Sequence, residues 1–503
     1  MGGVRGILLD VSVLLSPSAG DDDDVNVETL LRPGSIFLLR KLRYSKIPFG
    51  ISYARGLSSP KEFLLQEMAS TYSCTIFCFS AEDDISSEVA QIWKGKGGTL
   101  IHVVSGCGAD IQHKENGSAW LKVTVGFAEE KTYSDTEYDV ENEMSNIIIQ
   151  KLEELPLLIC NLNKKAIHKE VLVVGYVMKP SREKDFAKRG AFPLRPTQNG
   201  LMFLPLNYEL PILSQLRLVD AVLHKATDEI LAVDMDNPSE FSEKVAFTRN
   251  LQELQSYRLK IQQILNGLET LNRQGRSKIR PPHYFKVDSF HDNLEQRLAE
   301  AKLSLPNIVK PQVACGVSDA HSMIYLKVTT SEAIVFKVGQ YKDLNVPLPA
   351  VVQEYVDHSS LVYKFYALGG KVFYAIKKST PSADTLMNLF ADKGLKPLHF
   401  DSFDGISLKS LPVATEQLDA GNHQIDLELV NDAAHWLRKK LDLTIFGFDV
   451  VVQEGTGDHV IVDVNYLPSF KEVPDEVALP AFWDALKEKI VSEKSKLVAS
   501  ETS

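Results

Sequence analysis

Asp449, Asp463 and Asn465 stand within FGFDVVVQEGTGDHVIVDVNYLPSF, residues 446–470. Two apolar strands flank Gly455-Thr456-Gly457, which predicts a β-hairpin. A hairpin symmetric about Thr456 sets Asp449 directly opposite Asp463. Opposed residues have Cβ atoms about 4.5–5.5 Å apart, and like charges there repel. Asn465 follows two residues later on the same strand face. Two carboxylates and an amide make a set of hard oxygen donors. They suit a Mg²⁺ ion carrying a nucleotide's phosphates, because Mg²⁺ usually takes few protein ligands. The same pattern also fits the polar outer face of an edge hairpin.

Phosphate chemistry needs cations, and here they stand at the ends or edges of apolar strands. Lys310 follows Ile308-Val309 and precedes Pro311, which cannot donate to a sheet ladder. The strand should end there and leave the lysine head to reach a ligand or to serve as a strand-end cation. Lys225 closes AVLHK. Lys364 interrupts the apolar and aromatic run LVYKFYAL, facing either solvent or a ligand. Lys377-Lys378 follow KVFYAI. The loop CGVSDAH, Cys315 to His321, has one Gly and one Ser that could close over phosphates through backbone N–H groups. In AVVQEYVDH a strand gives way to Gln353-Glu354-Tyr355, where main-chain groups can pair with an adenine edge.

The elements that must position these groups read as α/β throughout. At 503 residues the chain has room for several domains. A net charge of −11 argues against nucleic acid as partner, and the acid excess is concentrated in residues 1–165. Five cysteines without a CxxC pair read as reduced thiols. With no apolar run of about 18 residues, the expectation is a cytoplasmic protein without membrane contact. Strands are expected at 4–15, 48–53, 75–79, 99–104 and 121–125, with helices at 34–43, 60–71 and 143–155. A fresh α/β start follows at Lys169, with strands 171–176 and 200–205, a basic helix between them, and a strand through 219–225. A long helical region is expected at 238–271. Strands then follow at 307–313, 323–328, 350–356, 361–368 and 371–376. Residues 379–428 suggest an excursion or lid. Helices at 426–441 and 479–496 bracket the hairpin.

Taken in order, these pieces resemble the inositol 1,3,4-trisphosphate 5/6-kinase (inositol-tetrakisphosphate 1-kinase) family, an atypical ATP-grasp fold. The resemblance covers residues 171–490. It rests on VGY at 174–176, LHK at 223–225, VKP at 309–311, Gly316 with His321, VVQEY at 351–355, YKFYALG at 363–369, FGFD at 446–449 and DVNYLP at 463–468. It implies an ATP- and Mg²⁺-dependent kinase acting on an inositol tris- or tetrakisphosphate. Asp449, Asp463 and Asn465 would hold Mg²⁺, with two ions expected. Arg258, Lys310, Gln353, Glu354, Tyr355, Lys364 and Ser379 would hold ATP. Arg182, Lys225, His321, Lys364, Lys377, Asn465 and Ser469 would hold the inositol phosphate. The implied division is 1–165 as an N-terminal α/β domain, then ATP-grasp subdomains at 169–250, 251–365 and 366–495. A monomer is expected, with an N-terminal domain available to a protein partner.

Departures from the family's pattern bear on specificity. Ser322 stands where Glu is usual, Lys377 where Arg is usual, and Ser469 where Gly is usual. The segment between Lys225 and Arg258 is short. A non-catalytic inositol-phosphate sensor and an ATP-grasp carboxylate–amine ligase are the competing readings. The N-terminal VRGILLDVSV resembles the first motif of haloacid-dehalogenase-like phosphatases, with Asp10 in the nucleophile's place. Ser12 replaces the acid/base aspartate, Gly50-Ile51-Ser52 can stand for the second motif, and Asp83-Asp84 is a weak acidic pair. No phosphatase chemistry is expected of it.

Overall fold

The computed structural model describes residues 3–16, 30–80, 85–93, 97–106, 119–127, 146–166, 170–225, 257–274, 277–288, 294–303, 307–312, 322–326, 348–379, 382, 398–401 and 425–501. The chain divides into two compact units, Met1–His224 with Ile490–Ser503, and Lys225–Lys489.

Among its described residues, the first unit opens with six strands: β1 (Val4–Asp10), β2 (Phe49–Ala54), β3 (Thr75–Phe79), β4 (Thr99–Ser105), β5 (Ala119–Val125) and β6 (Asn146–Ile149). They form one parallel sheet in the order β3-β2-β1-β4-β5-β6. β1 lies in its interior, so it must be apolar on both faces. Ile7 and Leu9 pack into one core, while Leu8 packs on the other side with Phe77, Trp93 and Leu100. Residues 143–155 were expected to be helical. Instead Asn146–Ile149 pairs with β5, and the helix begins at Leu155. The β-branched Ile147-Ile148-Ile149 explains the difference, since such side chains favour the pleated surface.

Three further strands, β7 (Leu172–Met178), β8 (Leu201–Pro205) and β9 (Ala221–Lys225), form a sheet in the order β8-β7-β9. Within the unit this part is tied to the six-stranded part. Asn163 accepts from Val4 N–H at 2.6 Å and donates to Leu194 O at 2.8 Å. Arg195 donates to the carbonyls of Val4 and Arg5 at 2.9 and 2.8 Å. Lys41, on helix Ser35–Arg43, forms a buried ion pair with Glu183 on helix Pro180–Lys188.

Among its described residues, the second unit is built on ten strands in two five-stranded sheets. In chain order they are β10 (Ile279–Arg280), β11 (Tyr284–Val287), β12 (Asn307–Pro311), β13 (Ser322–Leu326), β14 (Ala350–Glu354), β15 (Leu361–Leu368), β16 (Lys371–Lys378), β17 (Leu398–Asp401), β18 (Ile445–Val452) and β19 (His459–Tyr466). One sheet runs β11-β14-β12-β13-β17, the other β10-β19-β18-β15-β16. β12 ends at Pro311, as its missing N–H requires. The short strands β10, β11 and β17 were not expected. The predicted helical region survives as helix Tyr257–Leu265 and a 3₁₀ turn over Asn266–Leu271, with 238–256 outside the described residues. Helix Leu427–Leu441 is N-capped by Asp426, whose carboxylate accepts from Leu429 N–H. It covers one face of the second sheet, with Val430, Ala433, Ala434 and Leu437 packed among Phe365, Phe446, Phe448 and Val450. The opposite face of that sheet bears the polar residues. The last helix is longer than expected, Asp475–Glu501. Among the described residues, no helix is long and apolar enough to cross a membrane.

Candidate functional site

The hairpin β18–β19 does set Asp449 opposite Asp463, though not by simple symmetry. Next to the turn the pairs are Val452↔His459, Val451↔Val460 and Val450↔Ile461, one residue out of step with a ladder centred on Thr456. A β-bulge then leaves Val462 without an opposite residue, and Asp449 meets Asp463. The bulge also resets the faces. Ile461 and Val464 point into the core under the helix, whereas Val462 packs with Val451, Val460 and Val362 on the other face. Asp463 shares that second face, and Asn465 Nδ2 donates to its Oδ2 at 2.7 Å.

Lys364 completes a row across three strands. It is the register partner of Asp449 on β15, and its Nζ donates to Asp449 Oδ2 at 3.0 Å. Burial pushes the Asp449 carboxyl above its usual range; Lys364 pulls it down, while Asp463 adds to the rise. Lys364 is held protonated above the usual lysine value: burial opposes this, but Asp449 outweighs it. Gly447, two residues before Asp449, leaves no room for a side chain. A Cβ there would lie 3.0 Å from Phe365 O and 3.2 Å from Pro468 Cγ. The turn after β19 is tight, with Leu467 at φ +43° and Phe470 at φ +36°. These are left-handed values that cost non-glycine residues energy.

The other sheet faces this row across a narrow cleft lined by Ile261, Gln262, Lys310, Val351, Gln353, Val462, Asp463 and Val464. Lys310 reaches from β12 towards Val462 O on β19, 3.5 Å away. Gln353 is buried beside it on β14. The Glu354 side chain has a structural role. Its carboxylate is committed to Arg280, with bonds of 2.8 and 2.9 Å, and to His283 N–H at 2.9 Å. Burial would raise its pKa, but these partners hold it below the usual range. Its side chain therefore joins the two sheets, and any ligand contact of Glu354 falls to its main chain. Tyr355 is buried next to it. Ser379 Oγ lies 2.9 Å from Nε2 of buried His358, whose Nδ1 is 2.8 Å from Val356 O. With Nδ1–H given to that carbonyl, Nε2 accepts from the serine.

Lys225 Nζ donates to Tyr466 O at 2.9 Å and lies 4.9 Å from the Tyr466 ring centroid. Lys377, on β16, is paired with Glu472, which also accepts from Tyr366 Oη at 2.6 Å. Arg280, His358, Tyr366 and Glu472 are site neighbours that the sequence reading missed. Arg258 stands in the first turn of helix Tyr257–Leu265. Ser469 lies in the strained turn after β19. Arg182 belongs to helix Pro180–Lys188 of the first unit. His321 lies outside the described residues, as does the loop from 313 that leads to it.

The donor chemistry fits Mg²⁺: two facing carboxylates, one pushed up by burial and further by its neighbour, and an amide beside them. No group of three His, Cys, Asp or Glu residues that could hold a metal gathers among the described residues. Phosphate oxygens would therefore have to complete the coordination, as is usual for Mg²⁺. In the first unit Asp10 caps a short helix, Val11–Leu14, and accepts from Ser12 N–H at 3.0 Å and Ser12 Oγ–H at 2.5 Å. Burial raises its pKa.

Comparison with known proteins agrees with this architecture. Residues 273–484 match the family model described as the inositol 1,3,4-trisphosphate 5/6-kinase ATP-grasp domain. Residues 1–165 match that described as the ITPK4 N-terminal HAD-like domain. The chain is 43% identical over 524 residues to inositol-tetrakisphosphate 1-kinase 6 of Oryza sativa subsp. japonica, covering 98% of this chain and 91% of the rice protein. It is 24% identical over 302 residues to inositol-tetrakisphosphate 1-kinase of Danio rerio, covering 55% of this chain and 69% of that protein. A RimK-domain ATP-grasp protein of Sphaerobacter thermophilus overlays on 62% of this chain and 98% of its own, at 13% identity and a TM-score of 0.36, too loose to weigh on the assignment. An HAD-like domain followed by an ATP-grasp kinase domain, with near full-length likeness to the rice protein, places the chain in the inositol 1,3,4-trisphosphate 5/6-kinase family as an inositol phosphate kinase.

Proposed function

We propose that the chain transfers the γ-phosphoryl group of ATP to a free hydroxyl of an inositol tris- or tetrakisphosphate. The observation that carries this is the row Lys364–Asp449–Asp463 across three strands, facing Lys310 and Gln353 over the cleft. In this reading Lys310, Gln353, the main chain of Glu354–Tyr355, Ser379 and Arg258 hold ATP. Lys225, Lys364, Lys377, Asn465, Ser469, His321 and Arg182 serve the inositol phosphate. Asp449, Asp463 and Asn465 would hold two Mg²⁺ ions, which would neutralise charge on the triphosphate. Phosphoryl transfer through a loose transition state asks the protein mainly for positioning and charge balance. Lys310 and Lys364 balance charge on opposite sides of the cleft. The buried His358 fixes the Ser379 hydroxyl. His321 serves as a phosphate contact, since such a transition state needs little general base.

The reading extends to a four-part division at 1–165, 169–250, 251–365 and 366–495, a monomer, and a cytoplasmic site of action. The N-terminal domain acts as a structural or protein-binding module. Support for the last point comes from Ser12, whose hydroxyl is spent on the Asp10 carboxylate where a phosphatase needs an acid.

Asp463→Asn tests the assignment. It is expected to abolish ATP-dependent turnover in a screen of inositol phosphate isomers with products resolved by position. The fold should persist, because relieving one like-charge contact stabilises by roughly 0.2–1 kcal/mol at most. Turnover equal to that of the parent protein would remove the metal assignment.

A further inference from the structure

Two of the strand lysines assigned to the acceptor, Lys364 and Lys377, already have a carboxylate partner. For Lys364 that partner is Asp449, part of the metal set. For Lys377 it is Glu472, to which neither the metal nor the nucleotide gives a role.

Glu472 lies on the working face. Lys364 pairs with Ala375, and Lys377 is two residues further along β16, so both lysines share that face. Tyr366, two residues beyond Lys364 on β15, shares it too. Glu472 comes from the turn after β19 and places one carboxylate oxygen on Lys377 and the other on the Tyr366 hydroxyl. Its charge also acts on Lys364. The turn is anchored: Phe470 is fully buried, its ring centroid lies 5.5 Å from that of Phe482, and Val473 N–H donates to Phe470 O at 3.1 Å. The side chain of Glu472 is 16% exposed and that of Lys377 is 37% exposed. The lysine is thus open to a ligand while the carboxylate beside it is held from behind. Burial would raise the Glu472 pKa, but Lys377 and Tyr366 keep it below the usual range, so it is ionised at neutral pH.

A fixed negative charge in a site for polyanions repels any phosphate brought next to it. We propose that Glu472 is a specificity-determining residue: its carboxylate takes the place on Lys377 that an acceptor phosphate would fill, so the acceptor presents a hydroxyl to this corner. A hydroxyl can donate to the carboxylate and accept from the lysine, whereas a phosphate must displace Glu472. The site therefore favours less phosphorylated inositols. This inference rests on the reading of the Lys364–Lys377 face as the acceptor site.

The experiment is a comparison of KM across inositol tris-, tetrakis- and pentakisphosphates for the parent chain, Glu472→Gln, and Glu472→Gln combined with Lys377→Met. Glu472→Gln should lower KM for the more phosphorylated acceptors, relative to a trisphosphate, by about tenfold, the worth of one charge-assisted hydrogen bond. The added Lys377→Met should cancel that gain. An unchanged KM ratio in Glu472→Gln, or a gain that survives in the double variant, would overturn the proposal. Should Glu472→Gln fail to fold, Tyr366→Phe loosens the same carboxylate and should shift the ratio in the same direction; no shift there overturns it equally. A parent chain that turns over none of these acceptors removes the underlying site reading, an outcome separate from an unchanged ratio in an active enzyme.

Discussion

Replacing Arg280 by Met strands a carboxylate at the junction of the two five-stranded sheets. The guanidinium spans that junction from β10. It makes two bonds to Glu354 on β14, at 2.8 and 2.9 Å, and one to Gln453 Oε1 at 2.7 Å. Asp458 lies 3.7 Å away. The Arg280 and Glu354 side chains are 16% and 12% exposed. Breaking a buried pair from one side costs roughly 3–5 kcal/mol. Residual exposure and the retained His283 N–H bond reduce this to about 2–3 kcal/mol. For a unit of this size that lowers the melting midpoint by about 5–10 °C. Adding Glu354→Gln removes the stranded charge and should recover much of the loss. The pH dependence follows from the sign of the Glu354 shift. Its folded pKa lies below the ordinary value of 4.5, so the pair stabilises the protein above that pH and loses this effect as pH falls through the folded pKa. Arg280→Met should flatten the stability profile in that acid window. Because Gln353–Tyr355 hangs on this junction, KM for ATP should also rise. The assays are calorimetry or urea unfolding across pH, with ATP titration of turnover. A Met variant that melts with the parent protein and keeps its acid dependence would refute the reasoning.

Lys364→Met should raise the Asp449 pKa further and move the acid limb of the kcat/KM profile to higher pH, with KM for the inositol phosphate rising more than KM for ATP. A pH–rate profile decides it, and an unmoved limb counts against the cross-strand row. Lys41→Met leaves Glu183 buried without its cation, where the two side chains are 6% and 10% exposed. The expected loss is roughly 3–5 kcal/mol, read as an earlier thermal transition, and an unchanged transition would refute it. The intact chain should not hydrolyse p-nitrophenyl phosphate with Mg²⁺ and no ATP, since general acid help worth about 10²–10⁴-fold is missing at Ser12. Hydrolysis that disappears in Asp10→Ala would show a working phosphatase.

What could be read from the sequence was local. The strands of the hairpin and the strand break at Pro311 follow from apolar runs and a missing N–H within a few residues. The facing of Asp449 and Asp463 was also legible, although from a simpler ladder than the one formed. Pairings across long separations were not. Lys377 meets Glu472 over 95 positions, and Arg280 meets Glu354 over 74. Periodicity carries no information about such partners, so neither the Arg280–Glu354 pair nor the Lys377–Glu472 pair could be read from the sequence. The strand Asn146–Ile149 read as helix because its four residues are too few to show a period. Its place is set by pairing with β5, a tertiary effect.

The bulge at Val462 makes the site depend on a count of residues. In an unbroken ladder, Ile461 and Asp463 would share a face, and either a carboxylate would enter the core or an isoleucine would enter the cleft. One extra peptide unit lets VIVDVN serve an apolar face first and a charged face afterwards. Many side chains of similar size at 462 are compatible with this, but the loss of that residue is not. The hairpin behaves here like a message with a reading frame: substitutions near the turn alter letters, while a single-residue deletion exchanges inside for outside for everything beyond it.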